Sequence, residues 1–357
     1  MKEQIDWSFI TSKIEEERCV LMIGPEVAVA DTKEPLQITL KNYLTDPANN
    51  TGELVYYSED EFFSFENDTQ KTLTYFKIRQ FYEQFQPPEI YNKIAEIPFH
   101  LIISLSPDLL LKKILGEKGV NYDFDFYHKK QNPLAVERPS KGNPLLYNLV
   151  GSVEDEDSLV FTYNDLFDYL TRILGTHHLP NALREALART KNFIFLGFKF
   201  EKWYLKLLLR LLDLHQGGKY LNAFGKTEEM NDDAQNYYSR EFNINFVDED
   251  IAQFVDKLHS ECQSAGIIRK KGESGQPTIK DEVKDLIASN LIREALIKLN
   301  TFTKTNSPEH INDIKLLSRR FKDINGDLEL GLIERQDAMV PLNVLSKDIL
   351  DLVDRVY

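Results

Sequence analysis

Cys19-Val20-Leu21-Met22-Ile23-Gly24-Pro25-Glu26 is the stretch on which the reading of this chain turns. Five apolar residues run without interruption and stop at a glycine-proline pair. A strand with one wet face would alternate apolar with polar residues. An unbroken apolar run bounded by turn residues suits a strand buried on both faces, as in a parallel sheet. Just upstream, Ile5, Phe9, Ile10 and Ile14 recur at helical spacing and predict a helix over Ile5–Glu17. The strand signature returns downstream at Phe99–Ser104 before Pro107, at Leu145–Val150 before Gly151 and at Asn192–Leu196 before Gly197. Tyr220–Phe224 and Ile244–Val247 complete the expected sheet. Helical patterns over Tyr75–Gln84, Tyr163–Leu174, Asn181–Thr190 and Trp203–Leu214 separate these strands. Alternating strands and helices predict an α/β fold, a Rossmann-like doubly wound parallel sheet. Ligands of such sheets sit at the carboxyl ends of the strands, where the Gly and Pro breaks fall. The aromatic stretch Tyr56 to Phe65 reads as a helix packing over the sheet, or as a lid.

Composition narrows the function classes. Of 357 residues, 42% are hydrophobic and 28% charged, which suits a globular protein with a full core. The net charge of -14 argues against a general nucleic-acid binder. Basic residues gather only in short clusters such as Arg269-Lys270-Lys271 and Arg319-Arg320. Cys19 and Cys262 are the only cysteines and form no Cys-x-x-Cys pair, so neither a structural zinc site nor a disulfide framework is expected. Met1 to Arg18 does not read as a signal peptide, and no apolar run approaches a membrane span. The expected setting is the cytoplasm, with no membrane partner.

The character of the chain changes after residue 265. Arg269 to Pro277 carries no apolar side chain larger than proline, which marks a flexible linker over 266–279 between an α/β domain at 1–265 and a small all-α helical bundle at 280–357. In the bundle, Val283, Leu286, Ile287, Leu291, Ile292, Ala295, Leu296 and Leu299 form the apolar face of a helix pair. Ser307-Pro308-Glu309 opens a second long helix with Ser as its cap. Asp327–Glu334 reads as a short helix interrupted at Gly331, and Leu342 to Val353 carries the last of about five short helices.

The strand ends resemble those of sirtuin-like domains. Val20-Leu21-Met22-Ile23-Gly24-Pro25-Glu26-Val27-Ala28 is similar to the family's strand and Gly-Ala-Gly-x-Ser loop, whose bare backbone lets an NAD pyrophosphate approach a helix N-terminus. Ile103-Ser104-Leu105-Ser106-Pro107-Asp108 falls where the family has Thr-Thr-Asn-Tyr-Asp, and Asn148-Leu149-Val150-Gly151-Ser152 where it has Lys-Leu-His-Gly. Phe193 to Lys199 falls where it has a strand followed by Gly-Tyr-Ser, and Leu159 to Asp165 suits the strand-and-helix start after the Lys-Leu-His-Gly element. The resemblance implies an NAD or NAD-derived nucleotide touched by Gly24, Pro25, Glu26, Ser106, Asp108, Gly151, Gly197 and Lys199.

The departures bear on activity. Ser106 and Val150 stand where active members carry the ribose-positioning Asn and the general-base His, so no catalytic set is intact. Valine has no proton to transfer. Glu26 replaces the loop's second Gly and would meet a pyrophosphate with like charge; Ala28 and Lys199 replace two serines. Deacetylation is disfavoured further, because those family members carry a four-cysteine zinc module. Bland readings stand beside these. Gly24, Gly151 and Gly197 can serve as tight-turn residues, and Asp108 as a helix cap. His100 suits the core, His177-His178 a loop, and Glu154 to Asp157 a solvated turn.

Leu291 to Leu296, Leu316 to Phe321, Gly331-Leu332-Ile333 and Ile349 to Val353 resemble the effector-associated domain of type eleven, a death-like adaptor module of bacterial conflict systems that docks like with like. The joint resemblance implies an anti-phage defence protein. Its sirtuin-like part would be a nucleotide-binding or structural platform that has lost NAD hydrolysis, and its adaptor would recruit a partner with a matching domain or self-associate. An active NAD hydrolase with a rebuilt site and a sensor of an NAD-derived signal are the alternatives.

Overall fold

The computed structural model describes residues 5–30, 34–49, 54–129, 138–174, 179–215, 218–225, 230–269, 283–284, 286–287, 291–306, 310–329 and 335–356. They fall into two compact units, 1–274 and 275–357.

The Cys19–Ile23 run is β1, the middle strand of a seven-stranded sheet in the order β5-β6-β4-β1-β7-β8-β9. Its partners are β4 (Leu101–Ser104) and β7 (Asn192–Leu196), both parallel, with Val20 opposite Leu101 on one side and Phe193 on the other. β6 (Leu145–Asn148) pairs with β4; β8 (Tyr220–Gly225) and β9 (Ile244–Asp248) extend the other wing. Alternate residues of each inner strand enter opposite cores, which is why the apolar runs are continuous. Cys19, Leu21 and Ile23 belong to one hydrophobic cluster with Ile102, Ile194 and Leu196. Val20 and Met22 belong to the other with Ile103, Phe193 and Phe195. Helices α1 (Trp7–Glu15), α4 (Glu89–Glu96), α5 (Leu110–Glu117) and α10 (Ile251–Ser264) feed the first core. α6 (Tyr163–Leu174), α7 (Asn181–Arg189), α8 (Trp203–Leu211) and α9 (Asp232–Glu241) feed the second. Burying each large apolar side chain contributes about 1.5–3 kcal/mol, so two such cores hold the sheet from both faces.

Several sequence expectations need correction. Tyr56–Phe65 is not a helix: Leu54–Tyr57 (β2) and Phe62–Phe65 (β3) form an antiparallel hairpin. Paired aromatics at Tyr56-Tyr57 and Phe62-Phe63 satisfy strand and helix patterns alike. Asp123–Phe126 is β5, an edge strand whose two aspartates concealed it; Asp123 accepts from Asn143 and Asp125 partners His128 at 3.0 Å. Leu159 to Phe161 forms no strand. It runs extended, with the Val160 N–H donating to the Val150 carbonyl, and α6 starts at Tyr163. Residues 266–269 do not behave as linker: Ile267 and Ile268 pack on the first core, and the Arg269 guanidinium donates to the Phe99 and Lys141 carbonyls. Helices α2 (Leu36–Thr45) and α3 (Asp68–Glu83) precede α4, and α3 begins about two turns before the expected Tyr75.

In the second unit α11 (Ile292–Asn306), α12 (Ile311–Glu329) and α13 (Arg335–Val356) are the described helices. α12 is the long helix expected after Ser307, and α13 starts earlier than the final helix expected from Leu342. Ile292, Leu296, Leu299, Ile314, Leu317, Leu345, Ile349 and Leu352 close a common core at helical spacing. Asp327 belongs to α12 rather than to a separate helix, and α13 runs through Pro341, which removes one backbone donor. The expected Ser307 cap, Gly331 and His177-His178 lie outside the described residues.

Candidate functional site

Because β1 is followed in the chain by β4 on one side and β7 lies on the other, the strand order reverses between β1 and β7. A crevice opens outside the carboxyl ends of strands at such a point. The loop after β1 enters it under close constraint. The Gly24 N–H donates to the Leu196 carbonyl at 2.7 Å and the Glu26 N–H to the Gly197 carbonyl at 3.2 Å. A Cβ on Gly24 would lie 2.1 Å from the Gly197 oxygen. Gly197 itself has φ +64, which a side chain would strain. Gly151 has φ +87 and sits on the Ser158 carbonyl, where a Cβ would come within 2.2 Å. All three glycines are therefore required by backbone approach or conformation.

A cavity of about 110 Å3 lies over these ends, lined by Pro25, Ser106, Val150 and Lys199 together with Tyr82, Glu61 and Phe62. A second, of about 130 Å3, is lined by Glu26, Phe198, Lys199, Gly225 and Phe246. Phe198 and Lys199 line both cavities. Four of the residues singled out by sequence thus share the first cavity and Glu26 lines the second, while Gly24, Gly151, Gly197 and Asp108 line neither.

Ser106 and Asp108 engage each other. The Ser106 hydroxyl donates to Asp108 Oδ2, and Asp108 Oδ1 accepts the Leu110 N–H at 2.9 Å at the start of α5. Asp108 is buried, and burial raises its carboxyl above the ordinary range while the Ser106 and Leu110 hydrogen bonds oppose the shift. Asn148 of β6 donates to the Asp108 carbonyl at 3.1 Å. Burial also pushes the Tyr82 hydroxyl well above its usual value, the Asp108 charge adding to it and a hydrogen bond with Ser106 offsetting part. Both Asp108 oxygens are thereby committed to holding the loop. Val150 presents only methyl groups to the cavity.

The opposite wall is charged, and sequence reasoning passed over most of it. Glu61, at the tip of the β2–β3 hairpin, accepts from Lys199 at 2.6 Å and stands 3.5 Å from Lys202. Gln37 of α2 donates to its other oxygen at 2.5 Å. Lys199 also lies 3.8 Å from Glu26. Lys199 was found through a motif; Lys202, Glu61 and Gln37 carry no motif, and no local pattern ties α2 and the hairpin to the end of β7.

His100 is buried before β4, away from this wall, and burial lowers its imidazole to about 4, so it is neutral at pH 7. Both cysteines are buried thiols, Cys262 pushed up to about 12 by burial. Among the described residues no group of three or more His, Cys, Asp or Glu side chains converges as metal ligands. No helix among them is long and apolar enough to cross a membrane.

Residues 100–247 match the family model of the SIR2-like domain, and residues 278–357 match that of effector-associated domain 11. Each match is a likeness over the residues it covers, and neither spans half of the chain. The first takes in the Ser106, Val150 and Gly197 segments, while the loop after β1 precedes it. A solved chain described as "Structural Basis for the Mechanism and Regulation of Sir2 Enzymes" is 12% identical with a TM-score of 0.36, covering 72% of this chain and 99% of that one. No curated protein matches the chain.

Proposed function

We propose that the SIR2-like domain binds NAD or an NAD-derived nucleotide in the crevice without hydrolysing it, and that the effector-associated domain links this platform to a protein partner in a bacterial defence response. The observation that carries the first half is the first cavity's lining. Val150 stands where the resemblance places the general base, and it lines the cavity beside Ser106. Ser106 and Asp108, the groups from which a rebuilt site would be made, hydrogen-bond to each other and to the α5 backbone. Loss of a general base alone costs about 10²–10⁴ in rate. Two cavities sharing Lys199 at a strand-order reversal suit a ligand of two lobes joined by an anionic bridge. The backbone needs of Gly24 and Gly197 remain while the polar groups of the motifs are replaced.

The test is calorimetry with NAD and ADP-ribose beside an assay of nicotinamide release by the concentrated full chain. Saturable binding with no catalytic release is expected. Turnover that vanishes in Ser106→Ala or Asp108→Asn would establish a rebuilt hydrolase instead.

The second half rests on the effector-associated domain's own core and its surface. Ile297, Leu316 and Val340 are 59%, 59% and 69% exposed while the core residues of the same helices are buried. Covering such side chains is the incentive for pairing with a similar module. A small bundle is marginal alone, and pairing stabilises it by mass action. A fragment spanning 278–357 is expected to be helical and to fold cooperatively, with a melting temperature that rises with concentration. A fragment that stays unfolded at every concentration, or a SIR2-like fragment that assembles as the whole chain does, would place the interaction surface elsewhere.

A further inference from the structure

Two lysines converge on one carboxylate at the crevice, and no motif of the chain accounts for the arrangement. The Lys199, Lys202 and Glu61 side chains are 21%, 10% and 12% exposed, so the three charges meet largely out of water. Glu61 reaches the lysines from a left-handed backbone conformation, φ 64, that residues other than glycine rarely adopt. The hairpin that carries it is fixed by other contacts. The Phe63 N–H donates to the Phe161 carbonyl at 2.8 Å, the Tyr163 hydroxyl donates to Asp60 at 2.6 Å, and Lys202 donates to the Glu59 carbonyl. Phe62 packs on Tyr163 and Tyr204 with ring centroids 5.0 and 5.5 Å apart. The Glu61 side chain can therefore turn away while the hairpin stays. Its departure would expose Lys199, Lys202 and the Gln37 amide N–H to one point. Gln37 Oε1, buried and without a partner, lies at the same place.

We propose that Lys199 and Lys202 are a phosphate-binding pair and that Glu61 is its built-in competitor, a tethered carboxylate that a phosphorylated ligand must displace. A carboxylate offers lysines the same charge-assisted acceptors as two phosphate oxygens. Lys199 stands between the two cavities, where the anionic bridge of a two-lobed ligand would run. A pyrophosphate brings more negative charge than the single carboxylate and can replace it; a neutral nucleoside gains nothing from the exchange. The inference rests on the nucleotide reading of the crevice but concerns the anion alone, so inorganic pyrophosphate tests it separately.

Calorimetry on the full chain would compare pyrophosphate, ADP and adenosine for the parent, Glu61→Gln, Glu61→Ala and Lys199→Met/Lys202→Met. Removing the competing charge should tighten pyrophosphate and ADP by about tenfold or more, as expected for a partly buried ion pair. Adenosine should be unaffected, and the double lysine variant should lose the anion response. A Glu61 gain for pyrophosphate without any binding of ADP or NAD would uphold the pair and refute the nucleotide reading. If both Glu61 variants melt as the parent does yet gain nothing for pyrophosphate, or gain equally for adenosine, the competitor role is overturned.

Discussion

Asp165→Asn should lower the stability of the first unit by about 3–5 kcal/mol at pH 7, the cost of leaving a buried charge without its partner. Asp165 opens α6, where its Oδ2 accepts the Thr162 N–H at 3.0 Å and the Thr162 hydroxyl at 2.8 Å. The Asp165 N–H returns a hydrogen bond to Thr162 Oγ1 at 3.0 Å, so the pair forms a capping box. The same carboxylate binds three side chains from two other segments: Tyr75 at 2.7 Å and Lys71 at 2.9 Å from α3, and Lys129 at 2.7 Å from the loop after β5. Burial would raise its titration, but Lys129, Tyr75 and Lys71 prevail and hold it well below the carboxylate range. Burial pushes the Lys129 ammonium down, and Asp165 opposes that shift. An amide keeps one acceptor and removes the charge, which strands Lys129. Because the folded-state value is depressed, the stabilisation is present above the ordinary value of 3.8 and fades as pH falls through the folded value. Urea midpoints should therefore differ widely at pH 7 and converge below about pH 4. A difference under about 1 kcal/mol at pH 7 would mean that water reaches the lysines.

This carboxylate also shows which parts of the fold were legible in sequence. Thr162-Tyr163-Asn164-Asp165 announces a helix start locally, and α6 spans Tyr163–Leu174 as its periodicity predicts. The inner strands were legible for a similar reason: burial on both faces writes an unbroken apolar run, and β1 and β7 follow theirs residue for residue. Edge and hairpin strands carry no such demand. β5 has one outward edge and reads Asp-Phe-Asp-Phe, while β2 and β3 are aromatic on both faces because they lie over other aromatics. Lys71 and Lys129, distant in sequence from Asp165, carry no local sign that they belong with it.

The site was legible only where it sits on strand ends. Pro25, Ser106, Val150 and Lys199 follow β1, β4, β6 and β7, and parallel strands must bring their carboxyl ends to one edge. Their convergence follows from topology. Glu61 and Gln37 arrive from a hairpin and a helix inserted between β1 and β4, whose return to the crevice depends on tertiary packing. Lys202 lies within reach of the Lys199 motif, yet only the structure reveals a second charge on the same carboxylate.

Gly24→Ala should destabilise the first unit by about 3 kcal/mol, the upper part of the range for overpacking a close-packed site. Gly24 does not need a left-handed backbone; its constraint is space. The added carbon would lie 2.1 Å from the Gly197 oxygen, 2.6 Å from its carbonyl carbon and 2.9 Å from the Phe198 ring. The first two are backbone atoms and cannot rotate away. Relief requires the ends of β1 and β7 to separate, which would break the 2.7 Å hydrogen bond from Gly24 to Leu196 in the middle of the sheet. Gly116→Ala supplies the contrast within the same unit. Gly116 lies in α5, its new carbon would meet only the Tyr122 hydroxyl at 3.9 Å, and alanine's helix propensity should raise stability by about 0.5–1 kcal/mol. Thermal melts of the two variants should move in opposite directions. A Gly24→Ala protein as stable as its parent would show that the loop lifts off Gly197 without cost. The glycine would then be explained by ligand approach alone. A large loss shows instead that the contact between β1 and β7 is sufficient to require glycine, so that retaining Gly24 is no sign of retained catalysis.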